Sequence, residues 1–232
     1  MNSFLGKRRE KERISSNIVR LINARYMLHR IHFIILLLIL SPLFTHPGNE
    51  PEEKGKTIRP ADPVPSNKPN PSIFIMDKGE KPVPRMIHFM LQFNQSLDTA
   101  YLSKLLRTYI SECKMEGVNH DIAVCQMCLE TGFLRFNGSV SKFQNNFCGL
   151  GATDAYSAGD WFGSMEEGVR AHIQHLKAYA STDPLQTEPV DKRFRHVHRG
   201  TVFTLYDLTG RWATDPKYGE KLELLLRKLY EK

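Results

Sequence analysis

The sequence predicts a mainly α-helical domain, and three observations carry that expectation. Apolar residues recur at i, i+3, i+4 and i+7 spacing in separate stretches between residues 98 and 232. Those stretches are bounded by Asn, Ser or Asp at their starts or by Gly at their ends, the punctuation that helices need. Between them, residues 131–163 are rich in Gly, Ser, Asn and aromatics and have no helical period, so they read as loops with at most short strands.

The 232 residues suffice for one domain of moderate size plus appendages. The net charge of +7 suggests a nucleic-acid partner, but its distribution argues against one. Residues 1–30 hold Lys7, Arg8, Arg9, Lys11, Arg13, Arg20, Arg25 and Arg30 against Glu10 and Glu12, so the remainder is nearly neutral. A nearly neutral body lacks the basic footprint that phosphate neutralisation needs, and no nucleic-acid partner is expected. The apolar run Phe33 to Leu40, extending to Phe44, follows the basic segment directly. Its length is that of a secretory h-region and short for a membrane span. Met27 is an alternative start that would leave Met27-Leu28-His29-Arg30 as an ordinary n-region. No small-residue cleavage pattern follows, and both cleavage and anchoring through residues 33–44 stay open.

Residues 46–85 shift to Pro, Lys, Glu and Asn, a composition that buries too little apolar surface to offset ordering entropy. They read as a tether, interrupted by Ser72-Ile73-Phe74-Ile75-Met76, an apolar patch able to dock as a short strand. The expected organisation is a basic and hydrophobic segment over 1–45, a linker over 46–85 and the folded domain over 86–232. Met86 to Phe93 opens that domain. Leu102, Leu105, Leu106, Tyr109 and Ile110 then form the stripe of a helix ending near Gly117. Asn119 caps the next helix, which runs to Gly132 with Ile122, Cys125, Cys128 and Leu129 toward the core. Ser164 and Glu167 have capping-box spacing, and Val169, Ile173, Leu176 and Ala180 continue the stripe behind them. Residues 184–199 read as a basic loop or weak hairpin, and Thr204 to Leu208 as a short helix. Asp215 as N-cap, with Pro216 first in the helix, starts the last one, whose stripe is Leu222, Leu225, Leu226 and Leu229.

The chemistry centres on Glu130, delivered at the end of a mostly apolar helix and stopped at once by Gly132. A carboxyl group held against apolar neighbours such as Phe133 and Phe147 is pushed toward its protonated form, which a general acid needs near neutral pH. The run Glu130-Thr131-Gly132-Phe133 followed by Asn145-Asn146-Phe147-Cys148-Gly149-Leu150 resembles the Glu-Ser-Gly-Trp and Asn-Asn-Leu-Phe-Gly-Ile signatures of the bacterial glucosaminidases. Phe162-Gly163-Ser164-Met165-Glu166-Glu167 resembles that family's Phe-x-Ser-x-x-Glu helix start. Trp212-Ala213-Thr214-Asp215-Pro216-Lys217-Tyr218 resembles its Tyr-Ala-Thr-Asp-Pro-x-Tyr block. The likeness covers residues 98 to 232, with Phe133 in place of the usual Trp and Gly151 in place of a common Lys.

The resemblance implies a lysozyme-like helical domain with a small irregular or β-containing lobe over a cleft. It implies an endo-β-N-acetylglucosaminidase acting outside the cytoplasm, in the periplasm or cell envelope, on the glycan strands of peptidoglycan, without a cofactor or metal. A monomer is expected. Glu130 is the expected acid, Tyr218 sits near the cleaved sugar, and Asp154 or Asp160 is the candidate second carboxylate. An N-acetylglucosamine unit also carries its own acetamido nucleophile, which would make that carboxylate dispensable. Asn145, Asn146, Phe147, Phe133 and Trp161 are the candidate sugar contacts, while Trp212 is assigned to the core. A muramidase or a non-catalytic peptidoglycan-binding module are the alternative readings.

Cys125 and Cys128 have redox or zinc spacing but lie near a helix end and not at a helix start after a strand, so redox catalysis is not expected. Buried thiols or a structural disulfide, Cys128 with Cys148 first, are expected instead. The pairs His172 with His175 and His196 with His198 show no third metal ligand and read as solvated surface.

Overall fold

The computed structural model describes residues 70–152 and 157–231. The basic and apolar segments of residues 1–45 and most of the proline-rich stretch lie outside those residues, as does Asp154. Among the described residues no helix is long and apolar enough to cross a membrane. The described body is mainly helical: α1 (Val83–Phe93), α2 (Thr99–Glu116), α3 (His120–Thr131), α4 (Met165–Ala180) and α5 (Tyr218–Tyr230). Short 3-10 turns fill the connections, and pairing among these residues is limited to the isolated bridges Phe74 with Thr204 and Thr209 with Ala213. The lobe over the cleft is therefore irregular.

The expected domain boundary at residue 86 falls inside α1. Pro82 is the N-cap of that helix and Pro84 lies in its first turn, where a missing N–H costs nothing. These two prolines start a helix, although their composition matches the tether. Ahead of them Ile75 is fully buried, its N–H donating to the Phe203 carbonyl at 3.0 Å while its own carbonyl accepts from Asn119 N–H at 2.8 Å. The apolar patch 72–76 thus docks through one bridge and not as a strand.

Helix α2 buries Leu102, Leu105, Leu106 and Tyr109, starts on Asp98, whose side chain accepts from Tyr101 N–H, and ends in the left-handed Gly117. Helix α3 is the axis of the body. Asn119 caps it by accepting from Asp121 N–H, and α2 and α5 pack against it. The expected stripe is too narrow: Asp121 through Cys128 are all buried, including Ala123, Val124, Gln126 and Met127, while Leu129 is only half-buried. A helix enclosed on every side has no polar face. Asp121 accepts from the Glu80 and Lys81 backbone N–H groups and from the Tyr230 hydroxyl at 2.7 Å, tying the first and last described segments to the same carboxylate.

Helix α4 starts on Ser164, whose hydroxyl accepts from Glu167 N–H. Between α4 and α2, Lys177 donates to Glu116 at 2.8 Å in a buried pair that also holds the 184–187 loop through Gln186 and Thr187 N–H. Helix α5 begins two residues later than Asp215 and Pro216 suggest. Asp215 instead closes a turn ahead of it, its side chain accepting from Lys217 N–H and its carbonyl from Tyr218 N–H. The stripe Leu222, Leu225, Leu226 and Leu229 is buried as its spacing requires.

Candidate functional site

The carboxyl-terminal turn of α3 ends at the floor of a cleft that encloses about 250 Å³. Glu130, Thr131, Phe136, Ser139, Asn146 and Trp212 are among its walls. The turn that follows is strained, because Gly132, Phe133 and Leu134 are all left-handed, with φ of 59°, 57° and 60°. Each of the two non-glycine residues costs roughly 1–2 kcal/mol there. Burial of Phe133, stacked on Phe93 at 4.1 Å between centroids and edge-on to Phe89, offsets it.

Glu130 is exposed by its accessible surface and lines the cleft, with its carboxyl set against Tyr218 and Trp212. Its Oε1 accepts from the Tyr218 hydroxyl at 2.5 Å and from the Trp212 indole N–H at 3.0 Å. Burial raises its pKa above the ordinary carboxylic range, and the Tyr218 and Trp212 hydrogen bonds pull it back only in part. Its place in the last turn of a helix adds to the penalty on an anion. The arrangement holds a carboxyl proton at higher pH than usual, beside a space for a substrate.

Behind Glu130 lies a buried polar row. Gln126 Nε2 donates to the Tyr218 oxygen at 2.9 Å, Gln126 Oε1 lies 3.0 Å from His172 Nε2, and His172 Nδ1 lies 2.9 Å from the Tyr109 hydroxyl. Gln126, His172 and Tyr109 are all fully buried. Burial, aided by His175 nearby, lowers the His172 pKa to about 3, so it is neutral under working conditions. Trp212 is wedged between the rings of His172, His175 and Tyr179, at 5.8, 5.3 and 5.9 Å between centroids. His175 in turn bonds the buried Asp191 at 2.7 Å.

The loop over the cleft is built by its own amides. Ser141 and Gln144 form a capping box, and the Gln144 amide donates to the Ala158 carbonyl. Asn145, left-handed at φ 50°, donates to the Phe162 carbonyl. Asn146 donates to the Leu150 and Asp160 carbonyls and accepts from Leu150 N–H. This loop sits directly on α4 at Gly168, where a Cβ would lie 1.7 Å from the Asn145 carbonyl oxygen.

The sequence candidates therefore separate. Glu130 and Tyr218 meet, and Asn146 lines the cleft with its amide engaged inside the loop. Asn145 is likewise held by the loop. Phe133 and Phe147 are buried in the core, Phe147 against Tyr109 and Phe136, and present no face to a sugar. Trp161 is 61% exposed. Asp160 faces Arg193 at 3.4 Å. The four cysteines are all buried free thiols, so the Cys128–Cys148 disulfide is not formed; their helical and loop positions bury them without pairing. His172 and His175 are buried and hydrogen-bonded, not solvated, because α4 is covered on that side by α2 and by the loop of Asp191. Trp212, assigned to the core by its type, packs partly buried against the core and also donates to Glu130. It and the row Gln126, His172 and Tyr109 are what sequence reasoning missed. The signal available was the i, i+4 relation of Gln126 to Glu130.

Residues 106–231 match the Glucosaminidase family, described as mannosyl-glycoprotein endo-beta-N-acetylglucosaminidase. The chain is also similar to an uncharacterized protein of Borreliella burgdorferi, 47% identical over 158 residues, which cover 68% of this chain and 78% of that protein. No solved structure gives a significant match.

Proposed function

Because the chain belongs to the glucosaminidase family, its domain is that of a glycoside hydrolase, and we propose that it cuts the β-1,4 bonds of peptidoglycan glycan strands as an endo-β-N-acetylglucosaminidase. The observation that carries this reading is Glu130, an acid with raised pKa on the floor of a cleft of about 250 Å³, the scale of one sugar residue. Glu130 protonates the leaving glycosidic oxygen as charge develops at the anomeric carbon. Tyr218 and Trp212 hold its carboxyl in place. Asp154 is proposed as the second carboxylate, Trp161 as the face on which a neighbouring sugar stacks, and Asn145 and Asn146 as the frame that shapes the opening. The family's chemistry and the basic and apolar N-terminal sequence both support work outside the cytoplasm.

The test is digestion of purified peptidoglycan by the protein and by Glu130→Gln, with the new reducing ends identified by mass spectrometry. N-acetylglucosamine reducing ends that vanish in the variant support the proposal. Muramic acid reducing ends would make the enzyme a muramidase. Binding to sacculi with no new reducing ends would make it a binding module. Asp154→Asn and Asp160→Asn separate the ways of completing the reaction: turnover lost in one of them assigns the second carboxylate, and turnover retained in both assigns that work to the substrate acetamido group.

A further inference from the structure

Gln126, His172 and Tyr109 are deep polar groups that acid catalysis does not itself require, yet they lead in one line to the Glu130 carboxyl. Their direction is fixed at the Tyr109 end, where the buried hydroxyl has His172 Nδ1 as its acceptor. The indole N–H of Trp212 can only donate, so Oε1 of Glu130 accepts from it, and the Tyr218 hydroxyl donates to the same oxygen. The Tyr218 hydroxyl then donates to Oε1 and must accept from Gln126, which turns the amide nitrogen toward it. The amide oxygen consequently faces His172, whose Nε2 carries the hydrogen, leaving a lone pair on Nδ1 for the Tyr109 hydroxyl. With the row reversed, the Tyr109 hydrogen would have no acceptor among the described residues, in a fully buried site.

We infer that Gln126 and His172 are positioning residues that decide which oxygen of Glu130 carries the transferable proton: Tyr218 and Trp212 occupy Oε1, and the proton is held on Oε2. The inference rests on the reading of Glu130 as the acid. No bond is made or broken along the row. It prevents the Tyr218 hydroxyl from turning away, so Oε1 always receives two donors and Oε2 alone meets the substrate. The titratable groups facing Glu130 are Tyr218 from α5 and Cys148 from the loop, both kept neutral by burial. His172 is faced by Tyr109 of α2, also held protonated, and by His175 of its own helix, which pairs with Asp191.

When His172 loses its N–H, the Gln126 amide is free to turn and the Tyr218 hydroxyl divides between two acceptors. Glu130 loses part of a hydrogen bond that favours its ionised form, and its midpoint rises. The protein has two tryptophans, so Trp161→Phe leaves Trp212 as a fluorescent reporter in contact with Glu130. Emission is titrated with pH in that background, and its step is assigned to Glu130 by its loss in Glu130→Gln. His172→Leu is expected to move the midpoint about one pH unit higher, with the alkaline limb of kcat moving in parallel. His172→Gln, which restores an N–H at the same reach, returns it. Tyr109→Phe, which deletes one oxygen and lets the imidazole change tautomer, moves it in the same direction by less and decides the matter if His172→Leu does not fold. Midpoints unchanged in folded Tyr109→Phe and His172→Leu overturn the inference. Turnover retained by Glu130→Gln overturns the reading beneath it, a separate result.

Discussion

Helix α3 carries a carboxylate at each end, and the two are built in opposite ways. Asp121, in the first turn, is fully buried and accepts from two backbone N–H groups and the Tyr230 hydroxyl, with His120 at 3.3 Å. The helix dipole favours an anion there. Glu130, in the last turn, has two neutral donors, both on one oxygen, and lines the open cleft. The dipole opposes an anion there. The same helix thus uses one carboxylate to close the fold and strands the other in a place where it resists ionisation. The difference teaches that burial alone does not mark a catalytic acid; what marks this one is a carboxyl whose donors both sit on one oxygen.

Substitutions at the two ends break this comparison from opposite sides. Glu130→Gln is expected to cost on the order of 10²- to 10⁴-fold in peptidoglycan turnover. It is also expected to raise the melting temperature. The folded pKa of Glu130 lies above its unfolded value, so its ionisation costs stability that is fully present at low pH and lost as pH rises through the folded pKa. The gain in the variant should therefore be absent in acid and appear toward neutral and alkaline pH, as read from melting curves. Asp121→Asn should do the reverse, destabilising by on the order of 3 kcal/mol in denaturant titrations while the folded fraction keeps its kcat.

Two smaller changes sharpen the picture on the cleft side. Gly168→Ala drives a methyl into the Asn145 carbonyl, and neither partner is a flexible side chain end. A loss of about 2 kcal/mol in stability, with displacement of the loop and reduced kcat, is expected from calorimetry and kinetics. Trp212→Phe keeps the ring among His172, His175 and Tyr179 but removes one donor to Oε1. It should lower kcat about tenfold and move the alkaline limb of the pH profile upward.

The local parts of this site were legible in the sequence because they are decided within a few residues. Asn119 and Gly132 bound α3 through their own capping geometry, and Glu130 follows from them. The stripe of α5 has an exposed opposite face and so could be read. What could not be read depends on distant partners: Gln126 meets His172 at a separation of 46 residues and Tyr218 at 92. The histidines of α4 look solvated by spacing alone, since nothing within the helix announces that Tyr109 and Asp191 cover them. Phe133 and Phe147 carry the right chemistry for sugar stacking but are drawn into the core beside Phe93 and Tyr109. Pro82 and Pro84 illustrate the opposite ambiguity, one residue type serving both a tether and a helix start.

Among the described residues, both side chains hydrogen-bonded to the Glu130 carboxyl are uncharged, and dissolved ions weaken forces between charges far more than they weaken hydrogen bonds. The acid should therefore titrate at nearly the same pH in dilute buffer and in brine, leaving only substrate capture responsive to ionic strength.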